Sequence, residues 1–258
     1  MTEEERQRVI WTKLAHMEPP PHTREGSIGS GFHALDEALG EGLPRAAMVE
    51  LYGPSGCGKT TLAIQIVAHL QAGGLTCAWI DADRTFDAGY AARLGAEVDR
   101  IPLAQPDSAE EGLDVVRMLA GSGAVDLVVV DSAAALVPRL ELEAGISYYS
   151  KGLHSRVLAS GLRNLRLTLT RSGACVVFLN QVRNRPSGGT GETSAGGPPL
   201  KLFAAVRIAL VPVGGPRVSG ERAGGTKLCL RVLKNKLSAL VSGRELEWVR
   251  GSGFVESP

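Results

Sequence analysis

Residues Gly53-Pro54-Ser55-Gly56-Cys57-Gly58-Lys59-Thr60 carry the pattern G-x-x-x-x-G-K-T, which points to a bound nucleoside triphosphate. Backbone N–H groups must close around a polyphosphate, and Gly53, Gly56 and Gly58 keep side chains out of that approach. The helix expected to follow adds positive potential at its N-terminus. Lys59 is then placed to neutralise the β- and γ-phosphates and the Thr60 hydroxyl to bind Mg²⁺, with Thr61 beside the α-phosphate. A second element matches it. Leu127-Val128-Val129-Val130-Asp131 is an apolar run that ends in a carboxylate. In a doubly wound sheet that end faces the ligand crevice, so Asp131 can hold Mg²⁺ through water.

Hydrolysis also needs a group to orient the attacking water. Asp81 and Asp83 follow the apolar run 77–80 and so fall near the phosphate end of a sheet, although one of them can equally cap the next helix. Gln181 ends another apolar run, where it can touch the γ-phosphate or simply bond its own loop. The segment from Val182 to Pro199 contains Arg183, Arg185, the pair Gly196-Gly197 and a single acid, Glu192. A basic, glycine-rich loop leaving a nucleotide-sensing position suits a polyanion, with a solvated surface loop as the alternative. Arg156 and Arg163 are seven apart on one face of a predicted helix, with Arg166 close by.

Positioning these groups requires alternating strands and helices, and the hydrophobic pattern supplies them. Residues 32–39 read as a short helix ended by Gly40, 47–52 as a strand running into the glycine-rich loop, and 61–72 as a helix closed by Gly73-Gly74. Runs 76–80, 101–104, 127–130 and 174–179 read as buried strands. Ser108 and Glu111 predict a capping box for a helix to about Ala120. This is the signature of an α/β fold with a mostly parallel sheet covered on both faces. After Leu200 the pattern becomes strands only, at 203–213, 226–234 and 245–249, which predicts antiparallel strands added at one edge. Residues 3–17 read as an amphipathic helix, followed by Pro19-Pro20-Pro21. The predicted organisation is therefore a helix and proline-rich linker over 1–25 and one core over 26–258.

Composition excludes several classes. The chain has 258 residues, 28 basic and 27 acidic, with 44% hydrophobic and 21% charged residues. It is neither disordered in bulk nor globally basic, so any nucleic acid must be held by local patches. From Arg139 to Arg171 the basic side chains (Arg139, Lys151, Arg156, Arg163, Arg166, Arg171) outnumber Glu141 and Glu143, which makes such a patch. No apolar run approaches the ~20 residues that span a bilayer, and the start, with Glu3-Glu4-Glu5, is not a signal peptide. Cys57, Cys77, Cys175 and Cys229 form no CxxC or metal-like cluster and read as small buried hydrophobes. A reduced, cytoplasmic protein is expected. The 32 glycines are the compositional oddity.

In order and in spacing, GPSGCGKTTL (53–62), CAWIDADRTFDAGYAARLG (77–95), SGAVDLVVVDSAAALVP (122–138), VVFLNQVR (176–183) and VLKNK (232–236) resemble the bacterial RecA recombinase family. The resemblance covers residues 26–255. It implies a RecA-like P-loop NTPase that binds ATP and Mg²⁺ between neighbouring protomers, assembles with itself on single-stranded DNA, and serves recombination, repair and the SOS response to DNA damage. By the same resemblance Asp87 and Tyr90 fall at the adenine, Tyr90 by stacking, and Gln181 at the γ-phosphate. Residues 144–152 with Arg156 and Arg163 fall on the first DNA loop and its helix, and 183–197 on the second. Lys234 and Lys236 fall on a pair that reaches the neighbour's γ-phosphate.

Four departures accompany it. Asp83 replaces the water-activating glutamate, which predicts slow hydrolysis. The second loop lacks bulky apolar residues, Leu202 replaces an aromatic residue, and the chain stops at Pro258, short of the family's C-terminal domain. These departures leave a second reading open, an accessory protein that binds a recombinase or translesion polymerase. A small-molecule P-loop kinase is a third, against which VLKNK and the basic loops speak.

Overall fold

The structure, a computed structural model, describes residues 12, 26–144, 150, 152–183, 193–213, 226–238, 244–249 and 252–255. The predicted helix 3–17, its linker, Arg185 and most of both predicted DNA loops lie outside the described residues.

Short apolar runs form strands wherever helices can cover both faces. β1 (Ser27–Ile28) and β2 (Leu43–Pro44) pair antiparallel around α1 (His33–Leu39). β3 (Ala47–Gly53), buried at every position, runs into the glycine-rich loop and α2 (Lys59–Ala72). Then come β4 (Cys77–Asp81), α3 (Ala88–Arg93), β5 (Leu103–Ala104), α4 (Ala109–Gly121) and β6 (Leu127–Asp131). α5 (Arg139–Ala144), α6 (Leu153–Ser172), β7 (Cys175–Arg183), β8 (Thr193–Ser194) and α7 (Pro198–Phe203) follow. The last four elements are β9 (Val206–Pro212), β10 (Thr226–Asn235), β11 (Arg244–Val249) and β12 (Gly253–Val255).

The main sheet runs β12-β11-β10-β9-β3-β7-β6-β4-β5, with β8 paired to the end of β7. From β9 to β5 all neighbours are parallel, and β10, β11 and β12 continue antiparallel. Alternation along each strand splits the core in two. Leu127 and Val129 join Val49, Leu62 and Ile66 under α1 and α2, whereas Val128 and Val130 join Met48, Leu113, Leu158 and Leu162 under α4 and α6. In α6 the buried residues Leu158, Leu162, Leu165 and Leu169 form one stripe, so Arg156 and Arg163 fall on the solvent face.

Four expectations need correction. The strand predicted at 203–213 begins only at Val206, because Pro198–Phe203 is helical. A proline at the first helical position loses no hydrogen bond there. That strand is also parallel to β3 rather than antiparallel. The strand predicted at 101–104 reduces to Leu103–Ala104. In the predicted capping box Ser108 Oγ accepts from the Glu111 N–H, but the Glu111 carboxylate reaches back to the Asp107 N–H at 2.7 Å, one residue further than the pattern requires.

Candidate nucleotide site and the loop beside it

Parallel register assembles the site at one end of the sheet. Gly53 pairs with Gln181 across β3 and β7, and Asp81 pairs with Asp131 across β4 and β6. Four separate segments thus end side by side, next to the start of α2.

Within the glycine-rich loop the Lys59 ammonium donates to the carbonyls of Gly53 (3.1 Å) and Pro54 (2.8 Å) and lies 3.8 Å from Cys57 Sγ. Burial pushes the Cys57 thiol up, with Lys59 opposing. The three glycines do different jobs, which corrects the reading that all three clear a path for phosphate. A Cβ at Gly53 would strike the Leu210 carbonyl of β9 and Cys57 Sγ, and one at Gly58 would meet the Phe254 ring at 2.8 Å. Only at Gly56, with φ of 73°, would a Cβ meet open space. So Gly53 and Gly58 answer to the chain's own packing, and Gly56 alone faces the open side of the loop.

The Thr60 hydroxyl donates to Asp131 Oδ2 at 2.8 Å. Burial raises the Asp131 carboxyl to about 6; the Thr60 bond opposes this, and the charges of Asp83 and Asp81 add to it. Such a pair of hard oxygen donors beside an ammonium fits a magnesium ion that takes its remaining ligands from phosphate and water. No cluster of three or more acidic, His or Cys side chains that could cage a metal occurs among the described residues.

The two candidate carboxylates after β4 separate cleanly. Asp81 is buried and accepts from the N–H groups of Thr85 and Phe86 and from Gln105, so it closes the turn. Asp83 is exposed, and its N–H donates to the Asp131 carbonyl, which holds it at the C-terminal end of β6. Asp87 is the N-cap of α3, accepting from the Tyr90 N–H. Tyr90 is fixed at both ends, by its hydroxyl to Thr61 Oγ1 at 3.0 Å and by the Arg93 guanidinium over its ring.

Gln181 is exposed where β7 leaves β3, two residues before the strand ends at Arg183 rather than at its end as expected, and its carbonyl accepts from the Ala195 N–H across the stem of the basic loop. The backbone of Arg183 pairs with Thr193 in that stem. The far end of the loop turns onto α6. A Cβ on Gly196 would meet Leu158 and His154, and one on Gly197 would meet Ser155 at 3.2 Å. The two regions expected to hold DNA therefore converge, with Gly197 touching the residue before Arg156, whose guanidinium reaches Ser150.

Lys234 and Lys236 lie elsewhere. Lys234 pairs with Arg207, and the Lys236 N–H bonds the Ala205 carbonyl, level with Met48 at the start of β3. Five residues of strand, roughly 16 Å at 3.3 Å per residue, separate that level from Gly53, whereas Lys234, level with Glu50 through Arg207, is three residues away, roughly 10 Å. The Lys234 ammonium does not bond that loop. Instead the Lys234 ammonium caps the end of α7 through the carbonyls of Lys201 and Leu202. Burial lowers its pKa to about 8, with Lys236 and Arg207 adding to the effect.

Sequence reasoning missed two parts. Trp248 and Phe254 bring the C-terminal hairpin against Gly58, and Gln65 ties it to α2 through Ser252 and Phe254. Glu50 and Arg207 form an ion pair inside the sheet. The available signal was an acid in the middle of an otherwise apolar strand.

A phosphate-binding loop between the first core strand and its helix, a paired threonine and aspartate, and a parallel sheet with an antiparallel edge define a P-loop nucleoside triphosphatase. Comparison narrows the class. A family model described as the RecA N-terminal domain matches residues 14–255. Protein RecA of Thermus thermophilus is 43% identical over 237 residues, covering 91% of this chain and 70% of its own. Protein RecA of Deinococcus radiodurans is 41% identical over 230 residues, covering 88% and 63%. The fold matches the crystal structure of the RadB recombinase with a TM-score of 0.66 at 19% identity, over 89% of this chain and 99% of that one. The chain belongs to the RecA family. It is a RecA-like recombination and repair protein, and the accessory alternative is not favoured. No helix among the described residues is long and apolar enough to cross a membrane.

Proposed function

We propose that this chain is a single-stranded-DNA-dependent ATPase whose protomers assemble head to tail with the nucleotide between them. The supporting observation is continuity. The Gly53–Gln181 register leads directly through the Gln181–Ala195 bond to the loop stem and onto the first turn of α6 beside Arg156.

Bound Mg²⁺ supplies charge neutralisation to the phosphates. Lys59 would leave its loop carbonyls for the β/γ-phosphate, and Thr60 with Asp131 would hold the ion. Asp83 orients water from the far side. Its carboxylate is one methylene shorter than the glutamate it replaces, so it stands about 1 Å short, and such misplacement can cost about 10²-fold in rate. Tyr90, held by Thr61, offers its ring to the base near Asp87. Gln181 senses the γ-phosphate and passes its position to the loop carrying Arg183, Arg185, Gly196 and Gly197. DNA phosphates are met by these groups and by Arg156 and Arg163. Lys234 and Lys236, remote from their own loop, act on the neighbour's nucleotide. Four free cysteines fit a reducing cytoplasm.

The test is ATP turnover with and without oligo(dT), together with anisotropy of labelled oligo(dT) across a salt series and electron microscopy for filaments. Turnover stimulated by DNA, and DNA affinity that needs ATP and falls with salt, are expected. Turnover indifferent to DNA with no oligonucleotide binding would overturn the reading.

A further inference from the structure

Among mostly apolar neighbours in the middle of β3 and near the start of β9, Glu50 is fully buried and Arg207 nearly so. Their ion pair (Arg207 Nε to Glu50 Oε2) measures 2.5 Å. Pairs of this kind add little net stability, because desolvation offsets the attraction. A hydrophobic pair would fill β3 and β9 as well. What distinguishes this pair is what it touches.

The second oxygen of Glu50 accepts from Asn180 Nδ2 at 2.9 Å. That same amide nitrogen donates to the Ala195 carbonyl at 3.0 Å, and Asn180 Oδ1 accepts from the Gln181 N–H at 2.9 Å. Arg207 sends Nη2 to Ser194 Oγ at 3.3 Å, and its guanidinium lies 4.8 Å from the Tyr52 ring centroid. One carboxylate thereby governs both sides of the basic loop. Through Asn180 it fixes the residue that enters at Gln181, and through Asn180 and Arg207 it fixes Ala195 and Ser194, where the loop returns. Tyr52, under the guanidinium, immediately precedes Gly53 of the phosphate loop.

We infer that Glu50, with Arg207, is a positioning pair that makes the Gln181 strand end and the loop stem move as one unit, transmitting nucleotide state to the DNA-binding loop. Both side chains are buried, so the pair acts through Asn180 and Ser194 rather than on a ligand. The inference rests on the reading of Gln181 as the γ-phosphate sensor. Glu50→Gln removes the charge opposite Arg207 and slackens both arms, while leaving the phosphate loop's own contacts intact.

The experiment compares wild type, Glu50→Gln, Ser194→Ala and Gln181→Ala in the full chain. Readouts are thermal midpoint, affinity for a fluorescent ATP analogue, and anisotropy of labelled oligo(dT) with and without ATP·Mg²⁺. The expected result is that Glu50→Gln binds the analogue as wild type does but loses about tenfold of the ATP-dependent gain in DNA affinity, within the roughly 5–150-fold by which coupled sites act on each other. Ser194→Ala should lose a smaller part in the same direction, and it decides the matter by itself if Glu50→Gln does not fold. A purely structural pair would lower the thermal midpoint and leave the ATP-dependent gain unchanged in the folded fraction, which overturns the inference. Gln181→Ala separates the two levels. If it abolishes the gain while Glu50→Gln and Ser194→Ala keep it, only the positioning role fails; if it keeps the gain, the sensor reading fails and this inference with it.

Discussion

Thr60 Oγ1 and Asp131 Oδ2 sit 2.8 Å apart although 71 residues separate them in the chain. The bond joins the first turn of α2 to the end of β6 and brackets the place where a magnesium ion fits. Burial lifts Asp131 to about 6, so the fold disfavours this carboxylate relative to the unfolded chain. At pH 7.5 the group is ionised and that cost is present. Asp131→Asn keeps an oxygen acceptor for Thr60 and removes the charge. ATP turnover should fall about 10²-fold or more, while the thermal midpoint stays level or rises. A fall in both together would make Asp131 a structural residue.

Gly56 and Gly58 both hold positive φ, 73° and 86°, yet they should not respond alike to alanine. At Gly56 the cost is backbone strain alone, of order 1–2 kcal/mol. At Gly58 the new methyl also meets the Phe254 ring at 2.8 Å, and the C-terminal hairpin must shift. Gly58→Ala should therefore lower the thermal midpoint more than Gly56→Ala. Adding Phe254→Leu to Gly58→Ala should return part of the difference. Equal midpoints for the two alanine variants would show that the hairpin yields freely.

Asp83 offers a gain-of-function test. Its backbone is pinned to the Asp131 carbonyl at 3.1 Å, so a longer side chain advances the carboxylate without moving its anchor. Asp83→Glu should raise DNA-stimulated turnover, up to ~10²-fold if the whole shortfall is misplacement, with nucleotide affinity unchanged. Steady-state turnover at saturating oligo(dT) checks it, and an unchanged rate would free Asp83 from any role in orienting water.

What could be read from residues alone was what depends on local pattern. A glycine-rich loop between a strand and a helix, and an apolar run closed by Asp131, each announce themselves within ten residues. Gln181 read as a strand end; the strand in fact continues to Arg183, and Gln181 is where its pairing with β3 ends, beside Gly53. The direction of β9 was not legible, because its pairing with β3 joins Val206 to Val49, far apart in the chain with five strands between them. Pro198-Pro199 hid a helix, since the same dipeptide serves a loop or a helix start. The resemblance puts Asp87 at the adenine; what the residues alone did not announce is that it also caps α3, a job that Asp residues do wherever helices begin. Lys234 read as a charge on a strand; only the fold shows it closing α7.

That last contact gives a prediction in which activity and stability part with pH. The Lys234 ammonium, ordinarily near 10.5, titrates at about 8 because burial and the neighbouring cations Lys236 and Arg207 disfavour its charge. Below pH 8 the charged form is present and can leave the Lys201 and Leu202 carbonyls for a neighbour's phosphate. As pH rises through 8 that charge is lost, and assembly-dependent ATP turnover should fall. Stability runs the other way. Between about 8 and 10.5 the unfolded chain holds this proton more tightly than the folded one, so the contribution of Lys234 to folding becomes less unfavourable as pH rises. Lys234→Arg keeps a cation throughout, because a guanidinium does not deprotonate in this range. Its pH–turnover profile should extend to higher pH than the wild type by about one unit, with DNA stimulation retained at pH 7. Profiles that superimpose would mean that Lys234 works only as the cap of α7 and that the neighbour's nucleotide is met by other groups.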